Sequence, residues 1–295
     1  MRTALITGGT GSLGRETAGA IAAAGGWRVV VTGRDQAAVA ATADEIGAVG
    51  MPLDLGSLAG VRRFAAELAG AGLPPLHAVV CNAGVQVVSG TAVTADGIER
   101  TFGVNHLAHF ALVRELMPRL AKPARVVFVA SDTHDPARPT GMPAPVYTDA
   151  RSLAYPRDTG ESPSLVGRRR YTTSKLCNVL AAYEFARRAE PGIAVNAFDP
   201  GLMPGTGLAR DYRGVAALAW RYLLPALTVV PGLNAHTPRR SAAALARLVL
   251  DQDLTATGRY FSGFREVRSS AESYDRAKAA DLWETSVELT AALIA

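Results

Sequence analysis

Lysine is almost missing from this chain. Of 31 basic residues only Lys122, Lys175 and Lys278 are lysine, and all the others are arginine. Cysteine is equally scarce. Cys81 and Cys177 cannot build a disulfide framework in a chain of 295 residues, which points to a reducing cytosol and lets both read as small apolar packing residues. No charged segment followed by an apolar run opens the chain, because Met1-Arg2 leads straight into a strand-like stretch, so the expected location is cytoplasmic. No internal repeat is present. His106, His109 and His134 have no cysteine or carboxylate set at metal-ligand spacing, which argues against a metal site. His134 reads as a solvated loop histidine, with substrate contact as the alternative. The charge of +5 and pI near 9.5 would suit nucleic acid, but the basic residues are dispersed and the one tight run, Arg168-Arg169-Arg170, has no interleaved aromatics. An anionic cofactor is the more economical partner.

What is present is alternation. Short apolar runs at 3–7, 28–32, 76–81, 126–130 and 193–198 read as buried parallel strands. Helical patterns fall at 12–24, 35–46, 57–70, 95–121 and 171–189. This order predicts an α/β fold, a Rossmann-type doubly wound parallel sheet, and the length fits one large domain or a domain with a small appended lobe. The stretch 132–170 is proline-rich and reads as a long loop with one helical turn. After 200 come a Gly/Pro-rich segment, an apolar stretch at 215–233, a helix near 238–250 and a last helix near 276–293. The apolar stretch carries Trp220, Arg221, Tyr222 and Pro225, so charge and proline exclude a spanning helix, while a lipid-surface contact stays open.

The chemistry-bearing motifs begin at the first strand, which runs into Thr7-Gly8-Gly9-Thr10-Gly11-Ser12-Leu13-Gly14 and then a helix. Such a turn lets the backbone approach a pyrophosphate at the helix N-terminus; the plainer reading is a tight turn without ligand. The second strand ends at Gly33-Arg34-Asp35. Arg34 supplies a bidentate partner for a 2′-phosphate, and Asp35 suits a helix N-cap better than a ribose ligand, which favours NADP over NAD. Asp54, next to Leu55, either reaches the adenine or caps a helix ahead of Ser57. Tyr171 and Lys175 stand four apart, on one face of a helix. In a chain that otherwise uses arginine, an ammonium at that spacing would favour the phenolate and prepare a general acid/base.

Together these residues resemble the short-chain dehydrogenase/reductase family over nearly the whole chain. The matching pieces are the glycine turn, Asn82-Ala83-Gly84, Asn105 in Gly103-Val104-Asn105-His106-Leu107, Ser131, Tyr171…Lys175 and Pro200-Gly201, in order and at proper spacing. Within the family the chain is most similar to the retinol-dehydrogenase and protochlorophyllide-reductase-like branch, through Phe102–Leu107, Tyr171–Asn178, the insert before Tyr171 and the tail around Leu282-Trp283-Glu284. Two departures stand out. Ser12 replaces the glycine of the usual TGxxxGxG turn, giving the TGxxGxxG form of the extended, sugar-nucleotide-modifying branch. Leu202 stands where the light-driven enzymes commonly place a cysteine, which speaks against photochemical reduction.

The resemblance implies a catalytic set of Asn105, Ser131, Tyr171 and Lys175. Tyr171 would exchange the proton, Lys175 hold the nicotinamide ribose, Ser131 orient the carbonyl and Asn105 anchor a water. It implies cofactor contacts at Gly8, Thr10, Ser12, Leu13, Gly14, Arg34, Asp54, Leu55, Asn82, Ala83, Gly84, Pro200, Gly201 and Thr206. The expected activity is NADP(H)-dependent reduction of a small, mostly apolar carbonyl compound, or oxidation of the alcohol, under a lid at about 202–237. Ring C=C reduction and sugar-nucleotide epimerisation or dehydration are the alternatives. A homo-oligomer is compatible with the family; no nucleic-acid partner is expected.

Overall fold

The computed structural model describes residues 1–203 and 233–292. Eight strands form one sheet: β1 (Arg2–Ile6), β2 (Trp27–Val31), β3 (Val49–Gly50), β4 (Leu76–Cys81), β5 (Ala124–Val129), β6 (Ile193–Asp199), β7 (Tyr260–Ser262) and β8 (Arg265–Val267). Their order is β3-β2-β1-β4-β5-β6-β7-β8, parallel except for the terminal β7–β8 hairpin. The chain therefore starts in the middle and winds outward both ways, and the order reverses between β1 and β4. A cleft at that switch point is where a doubly wound sheet takes its ligand.

The central strands are runs of Val, Ile and Ala because both faces are covered. On one face α1 (Ser12–Ala23) and α8 (Pro238–Leu250) pack Ile21, Leu245 and Leu248 onto Ile6, Val31 and Val129. On the other, α3 (Leu58–Gly70), α5 (Ala108–Leu116) and α7 (Pro163–Arg188) enclose Phe64, Phe110, Phe128 and Phe185. The Phe185 ring touches Phe110, Phe128 and Trp283, the last on α9 (Arg276–Ala292). Each such ring stabilises the fold by about 2–3 kcal/mol relative to exposure.

Four boundaries differ from the sequence reading. The helix expected at 95–121 starts only at α4 (Arg100–Phe102), passes through a π turn at Gly103–Leu107 and continues as α5. Glu99 caps it, its carboxylate accepting the Thr101 and Phe102 N–H groups at 3.0 and 2.8 Å. The helix expected at 171–189 begins eight residues earlier, at Pro163, a residue whose fixed φ suits the first helical turn. Its opening turns, Pro163-Ser164-Leu165-Val166-Gly167 followed by Arg168-Arg169-Arg170, carry no apolar periodicity. Two of these arginines staple the preceding loop, Arg169 binding Glu161 through two N–H donors (2.6 and 2.9 Å) and Arg168 donating to the Gly141 carbonyl, while Arg170 donates to Thr91 in the loop after β4. The loop 132–170 also holds a 3₁₀ turn (Asp132–His134), α6 (Ala150–Ala154) and a bend in which Val146 N donates to Thr173. Finally, β7 and β8 are three-residue strands too short to show a period. α2 (Gln36–Ile46) and α8 match their expected spans closely. The apolar stretch 215–233 and nearly all of the expected lid fall outside the described residues. Among those described, no helix is long and apolar enough to cross a membrane.

Candidate active site

The glycine turn between β1 and α1 is shaped by crowding. A Cβ on Gly14 would stand 2.3 Å from the Gly8 carbonyl and 2.7 Å from Asn82 Nδ2; Gly8 itself has φ +64°. A Cβ at Gly11 would meet only the Gly8 oxygen, at 3.4 Å, and Ser12 is exposed on the first turn of α1. No side chain caps α1, so its leading N–H groups lack an intrahelical partner and face the turn's mouth. Thr10 is half-buried, and Leu13 sits in the core.

Thr7 locks this turn to the loop after β4, a role sequence reasoning missed. Its hydroxyl accepts the Asn82 and Ala83 N–H groups at 2.9 and 3.0 Å. His109 Nδ1–H donates to the Asn105 carbonyl (3.1 Å), so its Nε2 must accept, and Thr7 Oγ donates to it at 2.8 Å. Burial holds His109 neutral, lowering its pKa to about 4. Asn82 Nδ2 then bonds the Thr7 carbonyl at 2.8 Å. A buried histidine facing a strand-end threonine 102 residues away leaves no local signal.

At the β2 end Arg34 is exposed and makes no ion pair among the described residues. Asp35 is the N-cap of α2, accepting Ala38 N–H at 3.0 Å, and is thereby engaged by the helix. Asp54 is exposed and caps no helix: it accepts the Gly56 N–H at 2.9 Å, while Ser57 caps α3. Leu55 buries its side chain in the core.

Asn105 lies in the π turn. Its amide grips Val85 at both ends, accepting from Val85 N at 2.7 Å and donating to Val85 O at 2.9 Å, and donates to Ser174 Oγ at 3.0 Å. It thus bonds backbone, but on another element, and holds the Asn82–Val85 loop against α7. A Cβ on Gly84 would come 3.5 Å from Asn105 Oδ1 and 3.7 Å from Lys175 Nζ, which places these three together. Lys175 is 4% exposed, and its ammonium lies 5.5 Å from the Tyr171 ring centroid. Lys175 Nζ and Asn178 Nδ2 both donate to the Val129 carbonyl at 3.1 Å, tying α7 to the end of β5 just before Ser131. Burial lowers the Lys175 pKa to about 8, with Asp199 partly opposing it.

Ser131 caps the 3₁₀ turn, accepting Thr133 N–H, and donates to Asp132 Oδ1, both at 3.3 Å. His134 corrects the sequence reading. It is 1% exposed rather than solvated, with Nδ1–H donating to the Ser131 carbonyl (2.6 Å) and Nε2 accepting Ser270 N–H (3.1 Å). It pins the chain's C-terminal part to the loop at Ser131. Asp132 and Asp199, also missed, share Asn234 Nδ2 at 2.9 and 2.8 Å. Burial and the Asp199 charge raise the Asp132 pKa to about 6. Pro200 accepts the Ser241 hydroxyl at 2.6 Å, and Gly201 has φ +73° with a Cβ that would meet Asn234 O at 2.8 Å. Thr206 lies outside the described residues. Both cysteines are buried and free, and among the described residues no cluster could hold a metal ion.

A doubly wound sheet with a glycine turn after β1 is an architecture that suits a nucleotide ligand at the carboxyl edge of the strands. The chain belongs to the short-chain dehydrogenase family. Residues 2–143 match that family's model, described as short chain dehydrogenase. The chain is 34% identical to protochlorophyllide reductase B, chloroplastic, of Oryza sativa subsp. japonica, over 97% of this chain and 77% of that protein. It is 34% identical to the protochlorophyllide reductase of Avena sativa, over 97% and 98%. Among solved structures, an uncharacterized protein of Mycobacterium paratuberculosis superposes with TM-score 0.68 at 29% identity, covering 99% of this chain and 94% of that one. The Pseudomonas aeruginosa RhlG/NADP active-site complex does so with TM-score 0.64 at 26% identity, covering 89% and 96%.

Proposed function

We propose that the chain is an NADP(H)-dependent oxidoreductase that moves a hydride between the nicotinamide and a carbonyl or alcohol carbon, with Tyr171 as general acid/base. The observation that carries this reading is the buried Lys175 ammonium beside the Tyr171 ring, against Gly84 and Asn105. A cation so placed favours the phenolate and makes proton exchange accessible near neutrality.

The residues fit the cofactor. The uncapped start of α1 and the Cβ-free turn suit a pyrophosphate, and Arg34 is exposed and pairs with no carboxylate among the described residues. Lys175 spends one N–H on Val129, which leaves two donors for ribose hydroxyls. NADPH, when bound, supplies the hydride. Tyr171 gives its proton to the substrate oxygen, and Ser131 orients that oxygen once its hydroxyl turns from Asp132.

A second reading, reduction of a ring C=C bond, draws support from the protochlorophyllide reductases at 34% identity over 97% of the chain. Leu202, in place of the cysteine of the light-driven enzymes, weighs against a photochemical form. Tyr171→Phe tests what both share. It should lower kcat by about 10²–10⁴-fold while NADPH affinity stays within about twofold; retention of most activity removes the proton-transfer role. Assaying aldehydes and ketones against conjugated ring alkenes by nicotinamide absorbance separates the two readings.

A further inference from the structure

Beyond Ser131 the sheet edge opens into a cavity of about 430 Å³. Its walls come from Asp132 and His134 after β5, Asp199 at the end of β6, the β7–β8 hairpin and the first turns of α8. Asp132 adjoins Ser131 in sequence, so the cavity begins one residue from the catalytic serine.

Its acidic groups are satisfied from within. Asp199 accepts Gly201 N–H at 2.9 Å on Oδ1, and Asn234 Nδ2 and Ser262 Oγ, both at 2.8 Å, on Oδ2. Asp132 accepts Ser131 on one oxygen and Asn234 on the other. The donors are left over. Arg240 and Arg265 line the cavity and form no ion pair among the described residues, whereas Arg138 pairs with Asp135 and Arg268 lies over the Tyr274 ring. Arg240 stands in the first turn of α8, where the helix dipole disfavours a cation unless an anion joins it. Tyr260 is 4% exposed, lines the cavity, and its hydroxyl has no hydrogen-bond partner among the described residues. An unmet buried donor costs about 1–3 kcal/mol, so an acceptor is expected there. Apolar surface completes the lining: Ala244 and Val267, with Leu233 and Phe264 about half exposed at 48% and 45%.

We propose that this cavity binds the carboxylate end of an amphipathic substrate, with Arg240 and Arg265 gripping the anion, Tyr260 donating to a ligand oxygen, and Leu233, Phe264 and Val267 covering the apolar body. This rests on the reading of Ser131 and Tyr171 as the reacting centre, and it makes the substrate a carbonyl or alcohol compound bearing an acid remote from the reacting carbon. The guanidinium fork matches a carboxylate bidentately, and an apolar tail would displace water from the half-exposed side chains.

The test is calorimetric binding of octanoate and of 1-octanol to the full chain in the presence of NADP. Octanoate should bind at least about tenfold more tightly than 1-octanol, and weaken as salt rises from about 50 to 500 mM. The surface double variant Arg240→Gln/Arg265→Gln should lose about tenfold in octanoate affinity and leave 1-octanol unchanged. Equal binding of the two ligands, or wild-type octanoate affinity in the double variant, overturns the proposal. In parallel, a long-chain keto acid and its methyl ester serve as substrates. A preference for the free acid that the double variant erases supports the site. Turnover of neither, with octanoate binding intact, would instead sink the hydride-transfer reading alone.

Discussion

Asp132 shows how one residue can be read two ways. In the sequence it follows a strand-end serine and looks like a loop acid; in the fold it faces Asp199, Asn234, Ser131 and Arg138. Burial, first, and the Asp199 charge, second, raise its pKa to about 6, against about 3.9 in the unfolded chain. The folded state therefore binds this proton more tightly than the unfolded state does. Asp132 costs nothing below pH about 4, its penalty grows as pH rises through 6, and it is complete above that. Asp132→Asn carries no such dependence. Between pH 5 and pH 8 the Tm difference should move in favour of the variant, by about 1–3 kcal/mol in stability. Parallel Tm curves would show that the carboxylate does not feel Asp199 or its burial.

Among the elements, α7 carries the site, and its start explains the position of Tyr171. Gly167 lets the helix press on the loop after β4: a Cβ there would stand 1.9 Å from the Val87 carbonyl and 2.9 Å from Val88 Cα. That loop also includes Val85, held by Asn105, so α7, the π turn and the Asn82–Val88 segment form one clamp. Gly167→Ala should force helix and loop apart, costing about 1–3 kcal/mol in urea unfolding and lowering kcat more than NADPH affinity, since the α1 turn is untouched. A neutral effect on both would mean that the loop yields freely. Pro163 and the arginine run concealed this start, because helical periodicity in apolar residues is the signal that a sequence offers, and three consecutive arginines have none.

For the whole molecule, the proposed cofactor would reach along the sheet edge from Arg34 at the β2 end to Lys175 on α7, so cofactor choice should register in global stability. NADPH at about 100 times its Kd adds about 2.7 kcal/mol, which for a chain of this size raises Tm by about 4 °C. NADH at the same concentration should raise it by far less. Arg34→Ala should erase the difference, because the exposed guanidinium is the group placed to tell a phosphate from a hydroxyl. Equal shifts from the two cofactors in the wild type would overturn the NADP assignment.

The sequence by itself determined the architecture, the central strands of the sheet, and the residues of the glycine turn, the Asn82–Gly84 loop and the Tyr171–Lys175 step. Each of these is written in local periodicity or in a short motif, and local patterns report what neighbouring residues must do. The tertiary structure alone decided the rest. It buried His134 and His109, joined Asp132, Asp199 and Asn234 across 102 and 35 residues, and left Arg240, Arg265 and the Tyr260 hydroxyl around one cavity. Those relations depend on which strand ends lie side by side, and the spacing of residues along a chain carries no record of that.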